Sequence, residues 1–309
     1  MEVLLITGFL GTGKTTLIRH LLLSPFPGAG KIAVLVNEFG KIGIDGKLLS
    51  GLNVEIIELA SGCICCTIKT DFFKAVQEIH QRLRPDFLLV ETTGIAQPGE
   101  ILDVLCTPPL IDFCRVRSII TVVDAGFFQA REILGPFYAR QIQGADILLL
   151  NKVDLVEGTR VQEVEGSLRE MNPSARILPT IHCAVDVSSL TGDSSATRQK
   201  PLQAQDHLPD SAGDAFQTIS FQDEGALDRE KLTHFLESLP PGIFRVKGWV
   251  RFLDISAFVD FSGGRFRISP IDNLYPTSLV LIGRKFSEAG ILKNLRDCLT
   301  EEANGAKSP

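Results

Sequence analysis

The sequence predicts an α/β protein, a P-loop domain on a mostly parallel sheet, followed by a smaller α+β domain of ferredoxin-like type. Three observations carry this. Short, near-continuous apolar runs recur through residues 1–180, as strands buried on both faces do. Helical patterns separate several of them, which is the α/β layout. Between 186 and 213 the composition turns rich in Ser, Asp, Gln and Pro before strand and helix patterns resume. Domains are therefore expected at 1–185 and 214–309, joined by a linker at 186–213.

In chain order, the expected strands of the first domain are "VLLIT" (3–7), "KIAVLV" (31–36), "VEIIEL" (54–59), "DFLLVE" (86–91), "SIITVV" (118–123) and "DILLL" (146–150). The pattern "GKTTLIRHLLL" predicts a helix after the first strand, and "KTDFFKAVQEIHQRL" predicts one before the fourth. After the linker come a strand ("FQTISF"), a helix ("DREKLTHFLESL") ended by Pro240 and Pro241, and a long strand ("GIFRVKGWVRFL"). A hairpin partner across "SGG", a strand ("TSLVLIGR") and an amphipathic helix ("EAGILKNLRDCL") complete an order of roughly βαβββα.

With 309 residues and 44% apolar side chains, the chain can bury a substantial core. Its net charge of -6 argues against a general nucleic-acid binder, which needs a cationic footprint. The opening "MEVLLITGFLGTGK" has no basic segment and only a brief apolar run, so neither a signal peptide nor a membrane span is expected. Seven cysteines, an odd number, do not form the framework of a secreted disulfide scaffold. A cytoplasmic location is the expectation.

The segment "GFLGTGKTT", Gly8 to Thr16, satisfies G-x-x-x-x-G-K-[ST] between a strand and a helix. Gly8, Gly11 and Gly13 let backbone N–H groups, including that of Thr12, converge on phosphate oxygens, and the helix N-terminus adds partial positive charge. Lys14 is expected to reach the β- and γ-phosphates, Thr15 to place its hydroxyl on Mg²⁺, and Thr16 to complete the nucleotide-binding segment. In "LLVETTG", Glu91 is expected to hold the magnesium hydration shell and Gly94 to approach the γ-phosphate. Ile95 follows where a water-orienting glutamine is usual, so slow intrinsic turnover is expected, raised by a metal or partner. In "LLLNKVD", Asn151, Lys152 and Asp154 end another strand. A carboxylate there pairs with the N1–H and amine of guanine but not with adenine, a difference worth up to about 10⁴- to 10⁵-fold, so GTP is the expected nucleotide.

The stretch "SGCICCTI" packs Cys63, Cys65 and Cys66 into four positions after the third strand. In an open parallel sheet the strand ends share one ligand-binding edge, which would make these thiols neighbours of the nucleotide. Three readings stand: a soft-metal site, a Cys63/Cys66 dithiol redox pair, or buried structural cysteines. Thiolates select Zn²⁺, Cu⁺ and related ions, and the absence of a second knuckle suits a site short of a closed shell. Glu38 and Asp45, in "NEFGKIGID", are candidate extra metal ligands, magnesium contacts or solvated loop carboxylates. The five histidines are scattered, and His182 beside Cys183 is the one expected near the nucleotide edge. Cys106, Cys114 and Cys298 read as apolar filler.

Taken in order, "GFLGTGKTT", "NEFGKIGID", "SGCICCT", "ETTGIAQP", "TVVDA" and "NKVD" resemble the CobW-type GTPases, relatives of the urease and hydrogenase nickel-insertion GTPases. The "RVKGWVRF" strand extends the likeness to the second domain. The resemblance implies GTP and Mg²⁺ binding, a transition metal held by Cys63, Cys65 and Cys66, with Zn²⁺ first and Co²⁺ next, and hydrolysis coupled to metal transfer. It implies a metal-requiring client protein or cofactor-assembly enzyme as partner, with no nucleic acid and no membrane; an oligomer is open. A GTP-dependent regulatory switch, its cysteines serving redox sensing or loop structure, is the alternative. Many members carry a histidine-rich tract, whereas this linker has only His207, which counts against metal storage. Arg245, Lys247 and Arg251 share a strand face opposite Phe244, Val246, Val250 and Phe252, and Arg265 and Arg267 recur after the turn, as a solvated face or a client-docking surface.

Overall fold

The computed structural model describes residues 1–24, 30–39, 55–61, 67–94, 97–130, 134, 136–191, 217–262, 264–271 and 274–300, with backbone alone at 37–39, 55–61, 67–69 and 130. Two compact units divide the chain, Met1–Asp206 and His207–Pro309.

The first unit is built on strands β1 (Glu2–Thr7), β2 (Ile32–Phe39), β3 (Glu55–Ser61), β4 (Phe87–Glu91), β5 (Arg115–Asp124), β6 (Ile147–Asn151) and β7 (Arg176–Thr180). All pair in parallel, in the order β3-β2-β4-β1-β5-β6-β7. Helices α1 (Lys14–Leu23), α2 (Thr67–Leu83), α3 (Pro98–Leu105), α4 (Leu110–Phe113), α5 (Pro136–Gln143), α6 (Gly158–Met171) and α7 (Val187–Thr191) connect or flank them. Alternation along each strand divides the core. Val3, Leu5, Leu35, Leu88 and Val90 join Phe72, Val76 and Ile79 of α2 and Leu102 of α3 on one face. Leu4, Ile6, Val34, Leu89 and Val122 join Leu17, Ile18 and Leu21 of α1 on the other. Both sets must be apolar, which is why the strands read as unbroken runs. Each fully buried Leu or Ile contributes on the order of 1.5–3 kcal/mol of transfer free energy. The central strand, β1, is where the connections diverge toward opposite sheet edges, the usual place for a ligand crevice.

Two expectations are corrected. A seventh strand, β7, was not predicted; it is a five-residue edge strand containing Pro179, with a half-exposed pattern instead of an apolar run, and proline is tolerated in sheets chiefly at edges. Within the expected linker, Val187–Thr191 is helical, and its Val187 and Leu190 enter the core beneath β5. Polar Ser188 and Ser189 had masked that two-residue apolar contact. Residues 192–213 of the expected linker lie outside the described residues.

In the second unit, β8 (Gln217–Asp223), α8 (Arg229–Glu237), β9 (Ile243–Arg251), β10 (Ser256–Ser262), β11 (Arg265–Ile271), β12 (Thr277–Gly283) and α9 (Glu288–Asp297) follow in turn. The sheet is antiparallel, ordered β11-β10-β9-β12-β8. One strand more than expected is present, because the segment before "SGG" is itself a full strand, β10. β8 and β9 both run antiparallel to β12 and flank it, so β8-α8-β9 is a split βαβ unit, the ferredoxin-like element. Side chains of Asp228 and Ser287 cap α8 and α9 by accepting from the N–H groups of Lys231 and Gly290, each worth about 1 kcal/mol. Val246, Val250 and Phe252 enter the core with Leu232 and Leu295. Arg245 on the alternate face pairs with Asp260 of β10.

Candidate functional site

Five loops meet at the carboxyl edge of the first sheet. The turn after β1 carries Gly8, Gly11 and Gly13, all with positive φ (132°, 74° and 118°). Gly13 is sterically required: a Cβ there would lie 2.6 Å from Asn151 Nδ2 and 2.9 Å from Cys183 Sγ. Beyond it α1 begins at Lys14 with no side-chain cap, leaving its first N–H groups available to an anion. The Thr12 hydroxyl donates to the Phe9 carbonyl at 2.9 Å, and the largely buried Lys14 donates its Nζ to the same oxygen at 3.1 Å. The lysine head therefore lies against the mouth of the turn, while Thr16 is exposed on α1.

The end of β4 supplies the next group. Glu91 is buried, and the Thr15 hydroxyl donates to its Oε1 at 3.0 Å. Two hard oxygens from different elements thus converge beside the phosphate turn, a donor set that fits Mg²⁺, which takes one or two protein oxygens along with water and phosphate. Gly94 follows three residues later. A Cβ on it would run into the Leu10 side chain and stand 2.8 Å from the Leu10 backbone nitrogen, so this glycine is pressed against the phosphate turn.

The rest of this edge is assembled from β5, β6 and the loop after β7. Asn151 donates Nδ2 to the Thr12 carbonyl at 2.9 Å. Its Oδ1 accepts from the Cys183 N–H at 2.9 Å and from the Thr180 hydroxyl at 3.2 Å. Lys152, at φ 62°, donates Nζ to the Gly11 carbonyl at 2.7 Å and pairs with Asp124 at 2.8 Å. Asp124 in turn accepts from the N–H groups of Gly126 and Phe127. Asp154 is exposed. Desolvation pushes the wholly buried Cys183 thiol up to about 12, and its Sγ donates to the Gly13 carbonyl at 3.4 Å. It is a neutral packing and hydrogen-bonding group, not a nucleophile. His182 is exposed beside it, and His20 of α1 meets Val185 of the same loop at 2.8 Å.

The structure thus brings together Gly8, Gly11, Thr12, Gly13, Lys14, Thr15, Glu91, Gly94, Asn151 and Lys152. Cys63, Cys65, Cys66 and Asp45 lie outside the described residues, and Glu38 is described by its backbone alone, within β2. No three His, Cys, Asp or Glu side chains cluster as a metal site among the described residues. Cys114 and Cys298 are buried, their thiols raised by desolvation to about 12 and about 11, in keeping with a filler role, and Cys106 is half-buried. Thr180 and Cys183 were not recognised as site residues. The available signal was a polar strand end followed by a short loop, but it required knowing that β7 exists.

Residues 2–179 match the family described as CobW/HypB/UreG, nucleotide-binding domain, and residues 216–299 match the cobalamin synthesis protein cobW C-terminal domain. The chain is 30% identical to a Pseudomonas aeruginosa protein named zinc chaperone CobW, over 97% of this chain and 92% of the relative. It is 30% identical to the Escherichia coli zinc chaperone YeiR, over 91% of this chain and 85% of that one. Against the Dictyostelium discoideum zinc-regulated GTPase metalloprotein activator 1, identity is 27% over 81% of this chain and 62% of the relative. No helix among the described residues is long and apolar enough to cross a membrane.

Proposed function

The chain belongs to the CobW/HypB/UreG family, and from that premise we propose that it is a GTP-hydrolysing zinc metallochaperone that delivers its metal to a client. Cobalt is the next candidate cargo. The observation that carries the reading is the shared edge: Glu91 and Asn151 end their strands, and the phosphate turn, Gly94 and Lys152 lie just beyond strand ends, all at the carboxyl edge of one parallel sheet.

In this reading the α1 N-terminus and the glycine turn hold the phosphates, and Lys14 pairs with the β- and γ-oxygens. Asp154 accepts from guanine. Asn151 and Lys152 do not read the base by themselves; they hold the base loop against Thr12 and Gly11, so base and phosphate pockets form one rigid surface. Thr15 and Glu91 would hold Mg²⁺, and the ion when bound would neutralise phosphate charge. Gly94, against Leu10 of the phosphate turn, would meet the γ-phosphate. With isoleucine at 95, turnover by the isolated protein is slow.

Cys63, Cys65 and Cys66 are the proposed thiolate ligands for the cargo metal. They fall between β3 and α2, and the end of β3 pairs in parallel with the end of β2, Ser61 beside Phe39. Three strand spacings of about 4.8 Å separate β3 from β1 in the sheet order, or roughly 14 Å between the starting points of the sulfur and phosphate loops. Loops of ordinary length cover that span. Glu38 or Asp45 completes the ligand set. GTP binding is proposed to tighten the thiolate site and hydrolysis to loosen it, and linkage then obliges the metal to raise GTP affinity by the same factor.

Zinc titration by competition with a chromophoric chelator, with and without a non-hydrolysable GTP analogue, tests the coupling. The expected result is a several-fold tighter zinc affinity with the analogue, abolished by changing the three cysteines to serine. Equal affinities in both conditions would refute the coupling. A triple-serine protein that still captured its client in a GTP-dependent way would favour the regulatory switch instead.

A further inference from the structure

Helix α5 carries two adjacent polar side chains that the reading above leaves without a task. Gln141 is wholly buried, and its Nε2 donates to the Gly94 carbonyl at 3.3 Å. Arg140, half-buried, donates Nη1 to Gln97 Oε1 at 3.3 Å. The two neighbours therefore hold Gly94 and Gln97, two of the described residues that follow β4. The helix is itself tied to the sheet, because the Thr121 hydroxyl of β5 donates to the Gln141 main-chain carbonyl at 2.9 Å. It also reaches the phosphate turn: Phe137 and Tyr138 meet the Phe9 ring edge-on, at centroid separations of 6.4 and 6.2 Å.

A carboxamide is an expensive choice for a core-facing helix position unless it answers a buried polar group. The group it answers here is a main-chain carbonyl just beyond β4, where the ladder to β1 has ended at Glu91. Gly94 is then fixed from two directions, by Leu10 of the phosphate turn where its Cβ would be and by Gln141 at its carbonyl. Gly94 is the residue expected to approach the γ-phosphate, and in the sequence it directly precedes position 95, where GTPases of other types carry the glutamine that orients attacking water.

We propose that α5 anchors Gly94 and Gln97, and that Gln141 is a positioning residue for GTP hydrolysis, acting through Gly94. The proposal rests on the GTPase reading of the site. Ile95 stands where the usual glutamine would, so the anchor offers a held glycine, Gly94, next to the position where other GTPases use a side chain that orients water. In that reading Gly94 meets the γ-phosphate, which GDP lacks, so the anchor serves hydrolysis and not the holding of GDP.

The test uses the full chain with Mg²⁺ and zinc. Gln141→Met keeps the volume and removes the donor. It should lower kcat for GTP about 3- to 10-fold, the worth of one neutral hydrogen bond, while KM, GDP affinity and melting temperature stay within about twofold or a few degrees of the parent. Arg140→Ala and Gln97→Ala should each lower kcat by less, and the double variant should be no worse than the poorer single one, as expected for partners in one contact. An unchanged kcat in Gln141→Met overturns the proposal. So does a fall in GDP affinity and melting temperature that parallels kcat, since that marks plain structural support. Should Gln141→Met fail to fold, additive effects of Arg140→Ala and Gln97→Ala overturn the anchor. Wild-type protein that hydrolyses no GTP would sink the GTPase reading itself, a result distinct from an active wild type matched by its variants.

Discussion

Replacing Asn151 with alanine should damage stability and nucleotide binding together. Three hydrogen bonds are lost, to the Thr12 carbonyl at 2.9 Å, from the Cys183 N–H at 2.9 Å and from the Thr180 hydroxyl at 3.2 Å. The Thr180 hydroxyl can rotate toward another partner. The Cys183 N–H and the Thr12 carbonyl cannot, and each orphaned buried group costs about 1–3 kcal/mol. Their sum, about 2–5 kcal/mol after allowing for water entering the vacated volume, should lower the melting temperature of a unit this size by roughly 5–15 °C. The sequence contains a single tryptophan, Trp249, in β9 of the second unit. Circular dichroism at 222 nm follows both units, whereas tryptophan fluorescence follows the second alone and serves as an internal control. The expected result is an early dichroism transition with an unmoved fluorescence transition, together with at least tenfold weaker GTP binding. A dichroism melt within about 2 °C of wild type, or GTP affinity unchanged, would refute the view that this amide locks the base loop to the phosphate turn.

Two further outcomes are expected. Asp154→Asn should weaken GTP binding by tenfold or more and affect inosine triphosphate, which lacks the amine, less; because Asp154 is exposed, the melting temperature should hold, and equal losses for both nucleotides in a calorimetric titration would contradict the assignment. For Cys183, burial raises the folded thiol from its ordinary 9.0 to about 12. Below pH 9 both states keep the proton, so this thiol adds no pH dependence; from there toward pH 12 only the unfolded chain releases it, and stability must fall as pH rises. Thermal melts of wild type and Cys183→Ala between pH 7 and pH 11 should show the steeper alkaline decline in wild type, and identical slopes would exclude a protonated, buried thiol.

How much of this was legible in the chain depends on whether the chemistry is contiguous. The phosphate turn could be read directly, since converging N–H groups need glycines and a helix start within a few residues of each other, and Gly8 to Thr15 supply them in one stretch. Glu91 and Asn151 were legible as strand-end polar residues after apolar runs, because a strand buried on both faces leaves no other cause for its first polar side chain. The split βαβ of the second unit was readable from element order, although its fifth strand was not, since β10 and β9 share one alternation across a short turn.

By itself the sequence marked the residues proposed to bind a triphosphate and guanine, because those capacities reside in local backbone geometry and side-chain type. Tertiary structure alone decided who holds them in place. Asn151 meets Thr12 across 139 positions, Cys183 meets Gly13 across 170, and Gln141 meets Gly94 across 47. The reason is physical: buried polar groups must find partners wherever the sheet order brings them, and that order is fixed by packing two apolar faces, which leaves no mark on the spacing of the polar residues.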